Sequence, residues 1–359
     1  MAQEPKAIRR RALPGSIWAL GFVSLLMDTS SELVHSLLPV LMSSVLGASV
    51  TTIGVIEGVA EGTAAVCKAF SGTISDFYRR RKSLVLLGYS LGALTKPFFP
   101  LAQSIDLIFA ARFIDRIGKG IRGAPRDALV ADLVPPEMRG AAYGLRQALD
   151  SVGAFAGPLL AVLFMALLAN NIRAVMWVAI VPACLCVAVI IFGVHEPADG
   201  QSSVLGKRLT FSDAGRLSSR YWLVVALGAV FTLARFSEAF LILRARDVGL
   251  AIGFVPLIMI VMNVVYSICA YPAGAAGDRL PARALLVSGL VTLIVADILL
   301  AAASSPLMTF IGAALWGLHM ALTQGLLSKL VADTAQAELR GTAFGLFNLI
   351  SGIALLLAS

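Results

Sequence analysis

The segment DLVPPEMRGAAYGL at 132–145 returns as DTAQAELRGTAFGL at 333–346. Asp132, Glu137, Arg139, Gly140, Ala142, Gly144 and Leu145 correspond to Asp333, Glu338, Arg340, Gly341, Ala343, Gly345 and Leu346 at a constant offset of 201 residues. Earlier in each copy, Gly72 and Asp76 match Gly274 and Asp278, 202 residues further on. A repeat of this period at the same place between apolar blocks describes two halves built on one plan. An even number of membrane crossings per unit would give both halves the same orientation, as in transporters built from parallel repeats.

The blocks flanking these segments are continuously apolar for roughly 20 residues, the length that crosses a ~30 Å hydrocarbon core as a helix. Of the 359 residues 58% are hydrophobic and only 14% charged, and the mean hydropathy is +0.86. A soluble chain needs about a quarter of its residues charged. Strands would alternate rather than run continuously apolar, and backbone in lipid must bond within its own segment, so each block reads as a helix. The expected spans are 17–46, 52–75, 83–102, 106–130, 142–168, 172–194, 221–243, 251–276, 284–303, 307–331 and 342 onward. The fold class is therefore an all-α polytopic membrane protein with about 11 transmembrane helices. A bundle at 1–194 and a second at 221–359 are joined by a Gly-, Ser- and charge-rich linker at 195–220. The second bundle is expected to lack its last helix.

Basic residues sort by side. Lys6, Arg9, Arg10 and Arg11 precede the first span, Arg79–Lys82 follow the second, Arg139 follows the fourth, and Lys207, Arg208, Arg216 and Arg220 sit in the linker. Arg279, Arg283 and Arg340 continue the pattern, while the opposite loops hold only Arg173, Arg244 and Arg246. Positive loops stay inside, which predicts a cytoplasmic N-terminus and a bacterial inner-membrane protein. The first span is too long for a cleavable signal and carries Asp28 and Glu32. The net charge of +8 follows from this topology and predicts no nucleic-acid partner. Cys67, Cys184, Cys186 and Cys269 all lie in apolar blocks, with neither a disulfide framework nor metal-ligand spacing.

GTISDFYRRRK at 72–82 resembles the loop between helices 2 and 3 of the major facilitator superfamily, and GAAGDR at 274–279 repeats it. Arg116, Gly118, Lys119 and Gly120 resemble the family's helix 4 signature, with Lys119 where Gln is usual. Gly144, Gly153, Gly157 and Pro158 resemble the helix 5 pattern of its proton-coupled antiporters, without the glycine pair that often follows. Phe77 and Arg79 also depart from the loop pattern, where a basic residue and a glycine are expected. The resemblance covers the whole chain. It implies two rocking bundles and a cytoplasmic charge latch formed by Gly72, Asp76, Arg80, Glu137, Arg139, Asp278, Arg279, Glu338 and Arg340. Gly144, Gly153, Gly157 and Pro158 read as a packing and bending device, because small residues let helices approach and proline kinks them.

Intramembrane charge is the richest functional signal, since an ionisable group at the bilayer centre costs at least ~2.5 kcal/mol and faces a cavity or a partner by default. Asp28, Glu32 and His35 share one face of helix 1, and Glu57, Glu61 and Lys68 one face of helix 2. Helix 4 carries Arg112, Asp115, Arg116, Lys119, Arg122 and Arg126, and helix 5 adds Arg146 and Asp150. The second half is poorer: Asn263 stands for Glu61, Ala270 for Lys68, Ala313 for Arg112 and Gly317 for Arg116. Its polar cavity candidates are Arg235, Glu238, Asn263, Tyr266, His319 and Gln324.

A buried carboxylate changes its proton affinity when a neighbouring guanidinium moves, which suffices to couple protons to a conformational cycle. Asp28, Glu32 and Glu61 are the expected proton sites. The expected substrate cavity comprises His35, Glu57, Arg112, Arg116, Lys119, Arg146, Asp150 and the second-half candidates. The competing reading, a charge network that only fixes the packing of helices 1, 2, 4 and 5, stays open at each of these residues. Asp28, Glu32 and His35 could share a cation on one face, but a hydrogen-bonded histidine is the commoner arrangement, and neither metal nor cofactor is assigned. The chain contains no His-Glu-x-x-His and no Walker glycine loop, so a metallopeptidase-type enzyme or an ATP-driven pump is disfavoured. A secondary transporter acting as a monomer on a small molecule is expected, with proton antiport preferred to symport of an organic anion.

Overall fold

A computed structural model describes residues 13–78, 81–135, 138–196, 215, 217–277, 280–335 and 340–358, with backbone alone at 72–78, 139–141, 144, 271, 274, 275, 277, 332 and 340–342. The helices run α1 Gly15–Val40, α2 Val50–Tyr78, α3 Arg81–Thr95, α4 Phe98–Leu101, α5 Ile105–Asp132, α6 Arg139–Leu167, α7 Ile172–Val178 and α8 Ile180–Gly193. They continue as α9 Ser219–Ala234, α10 Ala239–Asp247, α11 Leu257–Gly277, α12 Ala282–Ala301, α13 Pro306–Thr334 and α14 Arg340–Ala358. Among the described residues there is no strand. Among the described residues, eight helical segments are long and apolar enough to cross a membrane. Three further crossings fall short for separate reasons: α5 is too charged, α9 and α10 are interrupted, and α14 presents only a short apolar stretch at Ala343–Ala358.

Helix ends follow local chemistry. The Ser104 hydroxyl accepts from Leu107 N to start α5, Asn171 accepts from Ala174 N to start α7, and Ser218 accepts from Tyr221 N to start α9. The turn from α6 to α7 is made by Ala169 and Asn170, both left-handed at φ 51° and 59°. Lys96 and Pro97 interrupt the third crossing between α3 and α4.

The seventh crossing differs from the continuous helix expected at 221–243. It breaks at Arg235–Glu238, where Arg235 turns extended at φ −104°, ψ 115°, and resumes as α10 to Asp247. Ser237 explains how the break is tolerated, because its hydroxyl accepts from Ala239 N at 3.3 Å. A break at membrane depth requires such substitutes for helical bonds, and it occurs where backbone lines a cavity.

Small residues set the closest crossings. A Cβ on Gly153 of α6 would lie 2.5 Å from Leu25 O of α1, and one on Gly157 would lie 2.7 Å from Thr29 O. Gly88 of α3 and Gly118 of α5 meet back to back, each blocking a side chain on the other at 2.6 Å. These contacts bring α1, α3, α5 and α6 to backbone distance, which is what binds helices in lipid, where apolar burial offers no driving force.

The apolar clusters differ between the two ends of the bundle. At one end a single cluster joins both halves, combining Leu37, Leu41, Ile53 and Met165 with Leu241, Ile242, Val255 and Met259. At the other end the clusters stay within one half: Ile17, Leu20, Leu129 and Ala142 pack together, and separately Tyr221, Val225, Val331 and Ala343. No described apolar cluster bridges the halves there. One end of the molecule is sealed and a cavity lies beneath the seal.

Candidate central cavity

The cavity has a volume of about 450 Å³ and is lined from both halves. From the first half come Glu32 and His35 of α1, Glu57 and Glu61 of α2, Arg116 and Lys119 of α5, and Asp150 and Ala154 of α6. From the second half come the residues of the break, Arg235 to Glu238, with Asn263, Trp316, Met320, Gln324 and Leu355.

The first-half charges form two linked tiers. In the upper tier Arg112 donates to Glu57 at 2.6 Å, and Arg116 reaches Glu61 at 2.9 Å. His35 lies 3.5 Å from Glu32 and 3.8 Å from Glu57. Behind them, Lys96 donates to Asp115 at 2.9 Å and to Ser31 at 3.0 Å, and Asp115 also approaches Arg116 Nε at 3.6 Å. Exposure separates the carboxylates: the Glu57 side chain is 1% exposed, but Glu32 and Glu61 show 24% and 31%. Glu57 is thus buried against Arg112 at the cavity wall, whereas Glu32 and Glu61 are partly open to the cavity. The lower tier centres on Arg126, which donates to Ser24, Tyr89 and Asp127, each at 3.2 Å. Arg126 and Arg146 both stand 4.0 Å from Asp150, and the Arg122 guanidinium lies 4.3 Å over the Tyr89 ring. Asp28 meets Asp150 carboxyl to carboxyl at the α1–α6 crossing, beside Gly153.

The second-half wall is built differently. The Arg235 guanidinium lies 5.7 Å over the Trp316 ring, whose other neighbour is Phe236 at 5.6 Å. Arg235, Glu238 and, across the cavity, Lys119 have no ion pair among the described residues. After internal pairing the cavity therefore presents charges of both signs to a ligand.

The expected cavity residues Arg112, Arg146, Tyr266 and His319 do not line it. Arg112 sits behind Glu57, and Arg146 sits in the lower tier. His319 faces α12, with Nδ1 2.8 Å from Gly289 O and its ring stacked on Phe231. Asp28 also lies off the cavity, reaching it through Asp150. Among the expected latch residues, Arg80, Glu137, Asp278, Arg279 and Glu338 lie outside the described residues, and Gly72, Asp76, Arg139 and Arg340 are described by backbone alone, as is Gly144. A neighbouring ion pair at the unsealed end, Arg81 to Asp132 at 2.6 Å, ties α3 to α5. Lys96, Phe236, Ser237 and Trp316 were not singled out from the sequence. A lone lysine within the expected span 83–102 was the available signal for the first.

Residues 20–359 match the family model described as Major Facilitator Superfamily. The chain belongs to the major facilitator superfamily. It is an integral membrane transporter for a small molecule, not an enzyme. An uncharacterized MFS-type transporter of Methanocaldococcus jannaschii is 31% identical over 358 residues, covering 97% of this chain and 88% of that protein. Among solved superfamily structures, a bacterial homolog of the human lysosomal transporter Spinster, in an inward-facing and unoccupied conformation, superimposes with a TM-score of 0.74 at 15% identity, covering 97% of this chain and 81% of its own. A D-xylose–proton symporter gives 0.71 at 14% identity, with coverage of 95% and 88%. Among the described residues no group of three His, Cys, Asp or Glu side chains is arranged to hold a metal ion.

Proposed function

We propose that this superfamily member exports a small polar molecule in exchange for protons, acting as a monomer in a bacterial inner membrane. The observation that carries the reading is the pairing of partly exposed carboxylates with buried basic side chains on one cavity wall, Glu61 with Arg116 and Glu32 with His35. A group that can bind either a proton or a cationic part of the substrate makes the two compete, and competition for one site is the basis of exchange. The glycine and proline pattern of α6 adds support, because Gly153 and Gly157 press α1 so closely that Asp28 and Glu32 move with any tilt of α6. The sorting of basic loops makes the sealed end the outer one, so the cavity would face the cytoplasm. Lys119, Arg235 and Glu238 suit a substrate that carries both signs of charge.

Symport of an organic anion has one observation in its favour. Protonating Glu61 would release Arg116, and the freed guanidinium would attract an anion. Both readings make Glu61 a proton carrier, and they differ in the direction of accumulation.

Proteoliposomes holding the full-length chain, screened with labelled amino acids, organic acids and amines with and without a pH gradient, test the reading. Glu61→Gln is expected to abolish gradient-driven accumulation while leaving substrate exchange intact. Gradient dependence equal to that of the unmodified protein would remove Glu61 from the coupling step, and accumulation on the proton-entry side would select symport over export.

A further inference from the structure

We infer that Lys96 is a positioning residue: by neutralising Asp115 it keeps Arg116 committed to Glu61. The inference rests on the reading of Glu61 as a proton carrier and extends it to a side chain that never touches the cavity.

The geometry is a chain of four alternating charges. Lys96 Nζ stands 2.9 Å from Asp115 Oδ1, Asp115 Oδ2 stands 3.6 Å from Arg116 Nε, and Arg116 Nη1 stands 2.9 Å from Glu61 Oε1. Lys96, Asp115 and Arg116 are almost wholly buried, at 1%, 4% and 3% exposure. Two carboxylates thus compete for one guanidinium. Arg116 Nε is buried and has no hydrogen-bond partner, so it is free to turn toward Asp115. Lys96 decides the competition, because Asp115 already has a strong donor. The lysine is held in place by Ser31 and by the break between α3 and α4, which lets its amine turn inward. Without Lys96, a buried Asp115 would lack a full counter-charge. Leaving a buried carboxylate unpaired is costly enough that Arg116 would be drawn to it and away from Glu61.

Other groups around Glu61 do not substitute for this device. Arg116, Lys119 and Arg112 face it from α5, His35 from α1, and Arg235 and Glu238 from across the cavity. The helix packed on the outer flank of α2, α14, presents Gly352 and Leu356 there. Arg112 is held by Glu57, and Lys119 remains in the cavity, so Arg116 is the only one of these cations in direct contact with Glu61.

Infrared titration of the purified full-length chain in lipid nanodiscs tests the inference with the proton as the only ligand. The protonated carboxyl band of Glu61 is assigned by its disappearance in Glu61→Gln. In Lys96→Met the midpoint of that band is expected to rise by about one pH unit, the effect of losing an opposite charge at contact distance. Lys96→Arg is expected to keep the native midpoint, and Lys96→Met combined with Asp115→Asn to restore it, since the competitor is gone. Should Lys96→Met fail to fold, Lys96→Gln removes the charge while keeping a donor for Asp115. A Glu61 band whose midpoint ignores both Lys96 variants overturns the positioning role alone. Absence of any Glu61 band overturns both this role and the reading of Glu61 as a carrier.

Discussion

Where α2 meets α5, Glu57 and Glu61 reach across to Arg112 and Arg116. Where α11 meets α13, the corresponding positions hold buried Met259, cavity-lining Asn263, buried Ala313 and Gly317, and Gly317 lies so close to Met262 O that a Cβ there would collide with it. The correspondence extends one layer back. Lys96 and Asp115 of the first half match Asp297 and Trp316, each 201 residues later, and Asp297 again neighbours the partner residue, here an indole edge without a close hydrogen bond. One scaffold thus carries two kinds of contact. A guanidinium can leave one carboxylate for another, so an ionic contact can switch with protonation. A glycine pressed on a backbone carbonyl has no alternative partner and transmits movement without altering it. On the function proposed above, the first half would sense the proton and the second would follow as a rigid wall.

Removing charge from the ionic side tests the contrast most severely. Arg112→Met leaves Glu57 buried without its counter-ion and is expected to cost about 3–5 kcal/mol in detergent unfolding, with Arg112→Met and Glu57→Met together recovering most of it. A double variant as unstable as the single one would mean that the pair is not the unit of contact. On the glycine side, Gly317→Ala is expected to cost roughly 1–3 kcal/mol by overpacking, with no change in the pH dependence of transport. A shifted pH profile in that variant would show that α11–α13 takes part in coupling after all. Least affected is Asp297→Asn, expected at under about 1 kcal/mol because no close ionic partner is lost. A loss as large as that of Arg112→Met would make the two halves energetically alike.

The crossings were readable because their length is imposed by the bilayer and does not depend on tertiary detail. The charged stripe on α5 was readable for the same reason, since each of its residues violates the apolar rule. The break at Arg235–Glu238 was not: two charges three residues apart fit an unbroken helical face equally well, and only the packing of Phe236 on Trp316 distinguishes the two. His319 was placed in the cavity on polarity alone, yet its partner is a backbone carbonyl, Gly289 O, which no residue pattern advertises. Lys96 lay hidden in an apolar block, and its purpose depends on Asp115, a partner 19 residues away across a turn.

The interruption between α9 and α10 has a pharmacological consequence. The last carbonyls of α9 have no helical donors beyond Arg235, and Ser237 serves only the amide side of the gap. Within a membrane, such carbonyls need water or a ligand's donors as partners. A compound that merely fills the cavity with hydrocarbon would strip that hydration and bind weakly. One that brings its own N–H groups to the broken segment, with an aromatic ring beside Phe236, would replace the water and hold the transporter in its sealed state.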